Sequence, residues 1–508
     1  MNHISRTILL SICVVIAYNC RADETGTLTI TATDHDTRRP IAVRMHLTDD
    51  KGKAVKPPGV PFWHDHFVFD GKIELKLSPG QYQFESERGP EYRVQTGHFT
   101  IESGGSDQKV IEMHRFVDMK KEGWWSGELH IHRPLGDVEL LMRAEDLHVG
   151  PVITWWNKRN LWGGKDLPDN PLVKFDGNRF HHSMAGEDER EGGALLYFQL
   201  NEPLAITKST REVPSPVEYL KLARQHEGIH VDIEKPFWWD MPVWISTGMC
   251  DTIGICNNHM NRSGMYESEA WGKPRDTKRL PPPLGNGQWT QEIYYHLLNC
   301  GVRIPPSAGS ASGVLKNPVG YNRVYVHCDG ELTYEKWWAS LRAGRSIVTN
   351  GPLLRARVNG QLPGHIFRAA KGSEVELQVT ANLSIRDEVE FLEIVKDGQI
   401  TERISLDDWA NNNGKLPKLL FTQSGWLLVR VLTTNDKTFR FASTAPFYVE
   451  IGKQPRISKT SAQFFVDWIK ERMDRVKIDD EADRSAVMAY HTAAVKFWQQ
   501  RLDQANAD

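Results

Sequence analysis

Two histidines in residues 127–132 (GELHIH) have the type and spacing that best suit metal chemistry. The segment has the pattern of a β-strand, and side chains at positions i and i+2 of a strand point to the same face. His130 and His132 are therefore expected to face the same way. Neutral imidazole binds zinc at ~2.0–2.1 Å, and two imidazoles on one rigid strand are oriented before the ion arrives. The alternative is a pair of ordinary strand histidines. The surrounding sequence therefore has to decide whether the pair binds a metal.

The elements around this pair alternate between strands and helices from residue 123 to about residue 351. The predicted strands are 151–154, 194–200, 229–233, 251–255 and 322–327, and the predicted helices are 137–147, 215–225, 291–298 and 334–342. This alternation is typical of parallel strands joined by crossover helices, in a barrel or an open sheet. In a barrel the active site lies at the C-terminal ends of the strands, which would place the histidine pair in the mouth.

The segments on either side of this region have the pattern of β-strands and turns. The first contains “RRPIAVRMHLTDDKG” and “LSPGQYQFESERG”, which resemble the carboxypeptidase-regulatory-like β-sandwiches that act as spacers or binding modules. After Gly351 the predicted strands are 375–379, 389–395, 426–432 and 447–451. From Thr460 onward apolar residues recur at helical spacing.

The sequence thus predicts a multidomain fold of α/β plus β class. The 508 residues suit about three domains. The predicted parts are a signal peptide at 1–22, an N-terminal β-sandwich at 23–117, a central barrel at 118–352, a C-terminal β-sandwich at 353–453 and a helical tail at 454–508.

The first 22 residues have the features of an export signal. Arg6 precedes the short apolar run 8–17, and the small residue Ala22 offers a cleavage site. An uncleaved anchor is the alternative, but the run is about half of the ~20 residues that a spanning helix needs. Lipid attachment through Cys20 is less compatible with the bulky Tyr18 and Asn19. We therefore expect a secreted or periplasmic protein with no stable membrane insertion.

Charge and cysteine content limit the possible partners. The formal net charge is -3, so the chain lacks the basic field that nucleic-acid binding needs. Four cysteines follow the predicted signal, and they could be buried thiols or up to two disulfides in an oxidising compartment. These are Cys250, Cys256, Cys300 and Cys328. The sequence makes no prediction about the oligomeric state.

Paired tryptophans are a further feature of the central region. Alternate members of a doublet at a strand end face inward, where indole rings could line a cleft and stack on sugar or aromatic groups. The doublets predicted to line a substrate site are Trp155-Trp156 and Trp238-Trp239. Trp337-Trp338 lies in a predicted helix and is expected to pack against the barrel.

Several segments in order resemble the PHP metallohydrolases, from about residue 124 to residue 354. The resemblance is to the carbaryl-hydrolase-like branch, the CehA/McbA family. It rests on “GWWSGELHIHR”, “AGEDEREGG”, “VDIEKPFWWD”, “NNHM”, “AGSASG”, “GYNRVYVH” and “LRAGRSIVTNGPLL”. The resemblance implies a distorted barrel of seven βα units that holds two or three metal ions, commonly zinc, manganese or iron. It also implies hydrolysis of phosphoesters or, in this branch, of carbamates, esters and amides.

The resemblance assigns roles to individual residues. His130 and His132 would bind the first ion, Glu187 would be a bridging or terminal carboxylate, and His259 a further ligand. A carboxylate between two ions holds them ~3.5–4 Å apart, where a shared water can lose a proton. The last segment contains Arg345, which is expected to line the substrate site. Without the resemblance, Glu187 could belong to a solvated run of charges and His259 to an ordinary loop.

The chain departs from the family pattern at three places. The Asp-His pair expected after the second strand is Trp155-Trp156-Asn157, and the later His-Pro is Lys235-Pro236. The closing Asp-x-His is 311–313 (ASG). These changes argue against a trinuclear site. They leave a single ion, most simply zinc, bound by His130, His132, His259 and either Glu187 or Glu234, because three protein ligands and a water suffice for catalytic zinc.

Glu234 and Lys235 are adjacent, so on a strand their side chains would face opposite ways. Both can serve a site in the mouth only if the strand has ended before them. Lys235 would then be a fixed cation for an anionic substrate or a replacement for metal charge, and a salt bridge is the simpler interpretation. Glu234 or Glu187 is the expected catalytic base.

Two functional hypotheses follow. The first is an exported metal-dependent hydrolase that acts on a small-molecule or glycan substrate through an activated water. The second is a non-catalytic recognition protein that binds a glycan or envelope component through a Trp-lined cleft. The retained His130, His132, Glu187 and His259 favour the hydrolase, and the lost ligands favour the binder.

Overall fold

The structure, a computed structural model, describes residues 24–508 and is a sheet-rich α/β protein. The predicted signal peptide lies outside the described residues. Eight α-helices occur in the described part of the chain. Within residues 24–508, no helix combines the length and the apolar character that a membrane span requires.

The N-terminal region consists of two sheets that share one apolar core. One sheet has the order β5-β1-β8 and the other β3-β4-β2-β6-β7. Alternate residues of β1, such as Leu28 and Ile30, pack against Met45 and Phe67 of the second sheet. The strands are β1 Gly26–Asp34, β2 Ala42–Asp49, β3 Phe62–Trp63, β4 His66–Asp70, β5 Lys72–Leu77, β6 Gly80–Glu87, β7 Gln95–Ile101 and β8 Ser106–Met113.

The central region contains most of the alternating strands and helices. Its elements are β9 Trp124–Gly127, α1 Leu135–Ala144, β10 Val149–Trp156, β11 Arg159–Asn160, β12 Leu172–Phe175, β13 Arg179–Arg190, β14 Gly193–Phe198, α2 Pro216–Ala223, β15 His230–Ile233, α3 Met241–Ser246, β16 Thr252–Cys256, β17 Met260–Asn261, β18 Gly264–Met265, α4 Gly285–Asn299, β19 Pro306–Ala308, β20 Arg323–His327, α5 Tyr334–Arg342 and β21 Ser346–Thr349. Two short 3-10 helices, Met119–Glu122 and Ile206–Lys208, complete it.

Seven of these strands form a closed ring of hydrogen-bonded neighbours. The order is β9, β10, β13, β14, β15, β16 and β19. The ring closes because the chain after β9 bonds to the segment of β19, through Leu129 N to Ala308 O at 3.0 Å and His132 N to Ser312 O at 2.8 Å. Most neighbours are parallel, so the C-terminal ends of β9, β13, β15 and β16 meet at one rim.

The barrel departs from a regular strand–helix repeat at β14. This strand is antiparallel to both β13 and β15. The connection from β13 is only Glu191-Gly192, and Gly193 follows with a φ of 121°. So short a connection makes a hairpin, whereas parallel strands need a crossover of a dozen residues or more. The predicted uniform alternation is therefore only partly present.

The C-terminal region adds a second pair of sheets. One is β22-β24-β27, and the other continues from the barrel because β21 pairs with β29. Its elements are β22 Leu353–Val358, β23 Ile366–Ala369, β24 Val375–Ser384, β25 Val389–Lys396, β26 Gln399–Ser405, α6 Leu406–Asn411, β27 Lys415–Phe421, β28 Gly425–Thr433, β29 Phe441–Thr444 and β30 Phe447–Ile451. Between the two sheets lies a separate apolar core that includes Leu377 and Val429.

The chain ends in two helices that pack on the barrel, α7 Lys459–Arg475 and α8 Glu481–Asp503. Trp468 of α7 donates its indole N–H to the carbonyl of Trp239 at 3.1 Å, and Trp498 of α8 donates to the carbonyl of Pro242 at 3.0 Å. The tail is thus attached to the segment that follows β15.

The four cysteines are free thiols, and Cys256, Cys300 and Cys328 are buried.

Candidate metal centre

His130 and His132 lie on a strand-like extension of β9 that is hydrogen-bonded on both edges. Ile153 of β10 donates its N–H to the carbonyl of Ile131 at 2.8 Å, and the N–H of His132 bonds to Ser312 on the other side. Ile131 is fully buried against α1, so its two neighbours project to the opposite face. The two imidazoles consequently meet, with their Nε2 atoms 3.0 Å apart.

Glu187 completes a group of three donor atoms. It lies near the C-terminal end of β13, and its Oε2 is 3.3 Å from His132 Nε2 and 3.6 Å from His130 Nε2. A tetrahedral ion with bonds of ~2.0–2.1 Å separates its ligand atoms by about 3.3 Å. The three separations therefore match one shared ion, and all three atoms lie within 4.8 Å of one another.

The carboxylate of Glu187 supports the same fit. Its Oε2 is buried and has no hydrogen-bond partner among the described residues, although it points at two imidazole nitrogens. Burial raises the pKa of Glu187, but His130 and His132 outweigh it and hold that pKa well below its ordinary value. The pKa of His132 is lowered by burial, while that of His130 is raised because Glu187 and Glu234 outweigh burial. An ionised carboxylate beside imidazoles is the donor set that a divalent cation prefers.

Glu234 approaches the other side of His130. Strand β15 has ended at Ile233, and the Glu234 Oε1 lies 3.4 Å from His130 Nδ1. Histidine ligands commonly present their second ring nitrogen to a carboxylate, which fixes the ring and its tautomer. Glu234 is itself held by Trp238 Nε1 at 2.9 Å and Asn258 Nδ2 at 2.7 Å.

Lys235 forms a buried ion pair with Glu234. Its Nζ donates to both oxygens of that carboxylate and lies 4.6 Å from the centre of the Trp238 ring. The chain is already a loop at Glu234 and Lys235, which is the condition for both side chains to reach the end of the barrel. The side chain is buried, so the structure gives Lys235 the salt bridge rather than an open position for substrate.

Two glycines allow the segment after β19 to approach the histidines. A Cβ on Gly309 would lie 2.4 Å from the Cβ of His130. A Cβ on Gly313 would lie 2.5 Å from the carbonyl oxygen of His132, and Gly313 also has a φ of 101°. Both glycines belong to the “AGSASG” segment, which supports the histidine pair through close backbone packing.

We expect Gly309→Ala to disturb the centre more than the fold. The added methyl group must displace His130 because two Cβ atoms cannot lie 2.4 Å apart. A misplaced ligand should weaken metal binding by roughly the 10–100-fold typical of changes in a ligand's support. Metal affinity can be measured by competition with a chromophoric chelator. Gly360→Ala is a control because a Cβ at that position would have no other atom within 4 Å, although its φ of 76° should cost some stability. Undiminished affinity in Gly309→Ala would contradict this close packing.

His259 does not join the three-residue group. It follows β16, as expected, but its ring packs between those of Phe237 and Tyr266, with centroids 5.3 and 5.5 Å away. Burial and the nearby Lys235 lower its pKa well below its ordinary value. The expected third histidine ligand is therefore absent from the group of three donor atoms. Its position after a strand did not determine which way the loop turns its side chain.

Of the four tryptophans predicted to line the site, only Trp156 lines a cleft. Its ring centre is 5.1 Å from that of His132. Trp155 points the opposite way and is buried on Tyr197, in space left by Gly186. Trp238 and Trp239 are also buried in the core rather than exposed to a substrate.

Arg345 lies away from the centre. It lines a different cleft, which contains Arg357 and His365 and none of the metal-group residues. Its guanidinium is 3.7 Å from Asp329, and the side chain is 46% exposed. Arg345, expected to line the substrate site, thus lies in the turn between α5 and β21 and lines a cleft that contains none of the three donor residues.

Glu128 is a supporting residue that was not predicted from the sequence. This buried carboxylate accepts the backbone N–H groups of Ser310, at 2.5 Å, and Gly320, and so holds the loop beside the histidines. Burial raises the pKa of Glu128 to about 7. The sequence signal for this role is a carboxylate two residues before His130 in a strand with buried neighbours, because a buried carboxylate needs hydrogen-bond donors.

Comparisons with known proteins assign no family. No protein-family model matches the chain, and no curated protein matches it. The Bacillus anthracis TIE protein is 23% identical over 22% of this chain and 20% of that chain, with a TM-score of 0.15. The phospholipase PlaB from Legionella pneumophila is 14% identical over 20% of this chain and 27% of that chain, with a TM-score of 0.14. The chain thus spans about a fifth to a quarter of these two structures.

Proposed function

We propose that the protein is an exported metal-dependent hydrolase with one divalent ion bound by His130, His132 and Glu187. The observation that carries this proposal is the set of three donor-atom separations, 3.0, 3.3 and 3.6 Å. Three protein ligands with a remaining open position are the pattern of catalytic zinc sites. Zinc fits the two imidazoles best, and manganese or iron are alternatives.

A divalent ion in this position would act as a Lewis acid and activate water for attack on an ester, amide, carbamate or phosphoester. The protein's own residues supply orientation and charge. Glu187 provides the negative charge that the two neutral rings lack. Both oxygens of Glu234 are occupied by Lys235, Trp238 and Asn258, so we assign Glu234 to positioning His130 rather than to proton abstraction.

The placement of the site supports the proposal of a PHP-like barrel. His130 and His132 follow β9, Glu187 lies near the end of β13, and Glu234 follows β15, all at the same rim. Enzymes of barrel folds build their sites at this rim. The antiparallel β14 and the altered ligand segments distinguish this barrel from the family pattern. Export rests on the apolar run and cleavage site of the first 22 residues.

Protein purified without chelator should contain close to one equivalent of metal, and His132→Ala should remove it. Two remaining donors rarely retain a transition ion against water and buffer. Elemental analysis measures the metal, and hydrolysis of 4-nitrophenyl acetate or bis(4-nitrophenyl) phosphate should fall on chelation and return with added ion.

His182→Asn is a matched control. His182 is a buried histidine of β13 that stacks on Tyr334 and lies outside the group of three donors. Its replacement should leave the metal content unchanged. Wild-type protein that remains metal-free after purification with added zinc and manganese would contradict the proposal and favour a recognition protein.

A further inference from the structure

A cleft of about 900 Å³ opens beside the metal group. This volume lies within the ~300–1,000 Å³ of typical ligand sites. The hairpin of β10 and β11, where Trp156 pairs with Arg159, lines part of it. Residues 188–190 of β13 and the segment from Ile206 to Arg211 line the rest.

The cleft and the metal group share structural elements. Trp156 lines the cleft and contacts His132, and its indole N–H donates to Glu189 at 3.0 Å. Glu189 lies two residues after Glu187 on the same strand, so both side chains project from one face. The backbone N–H of Asn157, at the hairpin tip, also bonds to the carbonyl of Glu187 at 3.2 Å. A molecule in the cleft would therefore lie against Trp156 and Asn157, the residues that contact the metal group.

The charges that line the cleft do not balance. Arg190 is neutralised by Asp188, with bonds of 2.7 and 2.8 Å, and Arg211 pairs with Glu191 at 2.9 Å. Three further cations remain, and within residues 24–508 no carboxylate forms an ion pair with them. They are Lys158, Arg159 and Lys208. Against these three cations the cleft offers one unpaired carboxylate, that of Glu189.

We propose that this cleft binds the anionic end of the substrate. The substrate class is an ester or amide whose carboxylate, sulfate or phosphate group is bound by Lys158 and Lys208, which both line the cleft, while the scissile bond lies at the metal group. A cleft with an excess of positive charge attracts anions and raises their local concentration. The catalytic part of this inference rests on the proposed function, whereas anion binding by the cleft does not.

The test compares mono-4-nitrophenyl adipate with 4-nitrophenyl hexanoate, which have the same chain length and differ in one terminal carboxylate. The metal-loaded protein should have the higher kcat/KM for the adipate, and this preference should shrink as salt is added. The double variant Lys158→Gln with Lys208→Gln should lower the adipate-to-hexanoate ratio of kcat/KM by roughly tenfold, the effect of removing two exposed charge contacts. Equal ratios in wild type and double variant would overturn the assignment.

A binding measurement separates this inference from the proposed function. Pyrenetetrasulfonate, a flat aromatic anion, should bind the metal-free protein, and its Kd by fluorescence anisotropy should rise about tenfold in the double variant. Lys72→Gln with Lys76→Gln is the matched control, because both lysines are exposed on β5 and their removal changes the net charge equally. A selective loss of binding without hydrolysis of either ester would support the anion site and contradict the hydrolase. Identical losses in both double variants would overturn the anion site.

Discussion

Glu187→Gln should weaken metal binding by more than ~100-fold and lower hydrolysis of an activated ester in the same proportion. Replacing a residue that only supports a ligand typically lowers metal affinity by ~10–100-fold. The loss should be larger here because the ligand itself is replaced. The amide is nearly isosteric with the carboxylate but carries no charge, and the remaining donors would be two imidazoles. Chelator competition measures the affinity, and circular dichroism should show the fold unchanged.

Glu234→Gln should have a smaller effect on the same affinity, within ~10–100-fold. Its carboxylate lies 3.4 Å from the Nδ1 of His130 and outside the group of three donors. Glu74→Gln, at an exposed position of β5, should change nothing. If Glu234→Gln weakened binding as much as Glu187→Gln, Glu234 would be a ligand and the assignment of the two carboxylates would be wrong.

The local part of the site could be predicted from the sequence because strand geometry is periodic. A spacing of two residues is enough to place His130 and His132 on one face. The association with Glu187 could be expected only through the resemblance, because the partner strand is distant in sequence. His259 shows the limit of this reasoning: it follows a strand, but the loop turns its ring towards Phe237 and Tyr266.

The tryptophan doublets show a second limit. Alternation predicts that Trp155 and Trp156 face opposite sides, as they do, but does not reveal which side is core. Gly186 on β13 and Gly193 on β14 leave space for indoles, since a Cβ would lie 1.8 Å from Trp155 and 2.3 Å from Trp238. Pairing between β10 and β13 brings Trp155 opposite Gly186, and the local pattern of either strand does not show which residue of the other lies opposite it.

The type of secondary structure in each region could be predicted from the sequence, but the pairing of the strands could not. Helical periods and strand alternation identified the β-rich flanks, the mixed centre and the helical tail. The chain turns back at Glu191-Gly192, and this hairpin makes β14 antiparallel to β13. In the sequence the turn is hidden because it follows directly on a run of charged residues. The pairing of β21 with β29 joins two predicted domains in one sheet, and such long-range pairing has no local signal.

The helical tail should contribute strongly to stability through Arg472, whose side chain is 1% exposed. Its Nε donates to Asp240 at 2.7 Å, and its two terminal nitrogens donate to Glu212 at 3.0 and 2.6 Å. Burial raises the pKa of Asp240, but Arg472 and His491 outweigh it and hold that pKa below its ordinary value. Arg472 therefore neutralises Glu212 and, together with His491, Asp240.

We expect Arg472→Leu to destabilise the unit formed by barrel and tail by ~3–5 kcal/mol, the cost of leaving a buried charge without its partner. The midpoint of urea unfolding, followed by tryptophan fluorescence, measures the change. The difference from wild type should narrow as the pH falls to about 4, because Asp240 and Glu212 then take up protons in the variant and lose their uncompensated charge. Arg475→Leu, on the same helix, is the control: its pair with Glu471 is solvent-exposed and should contribute less than ~1 kcal/mol. Equal shifts in the two variants would mean that the buried ion pairs do not hold the tail on the barrel.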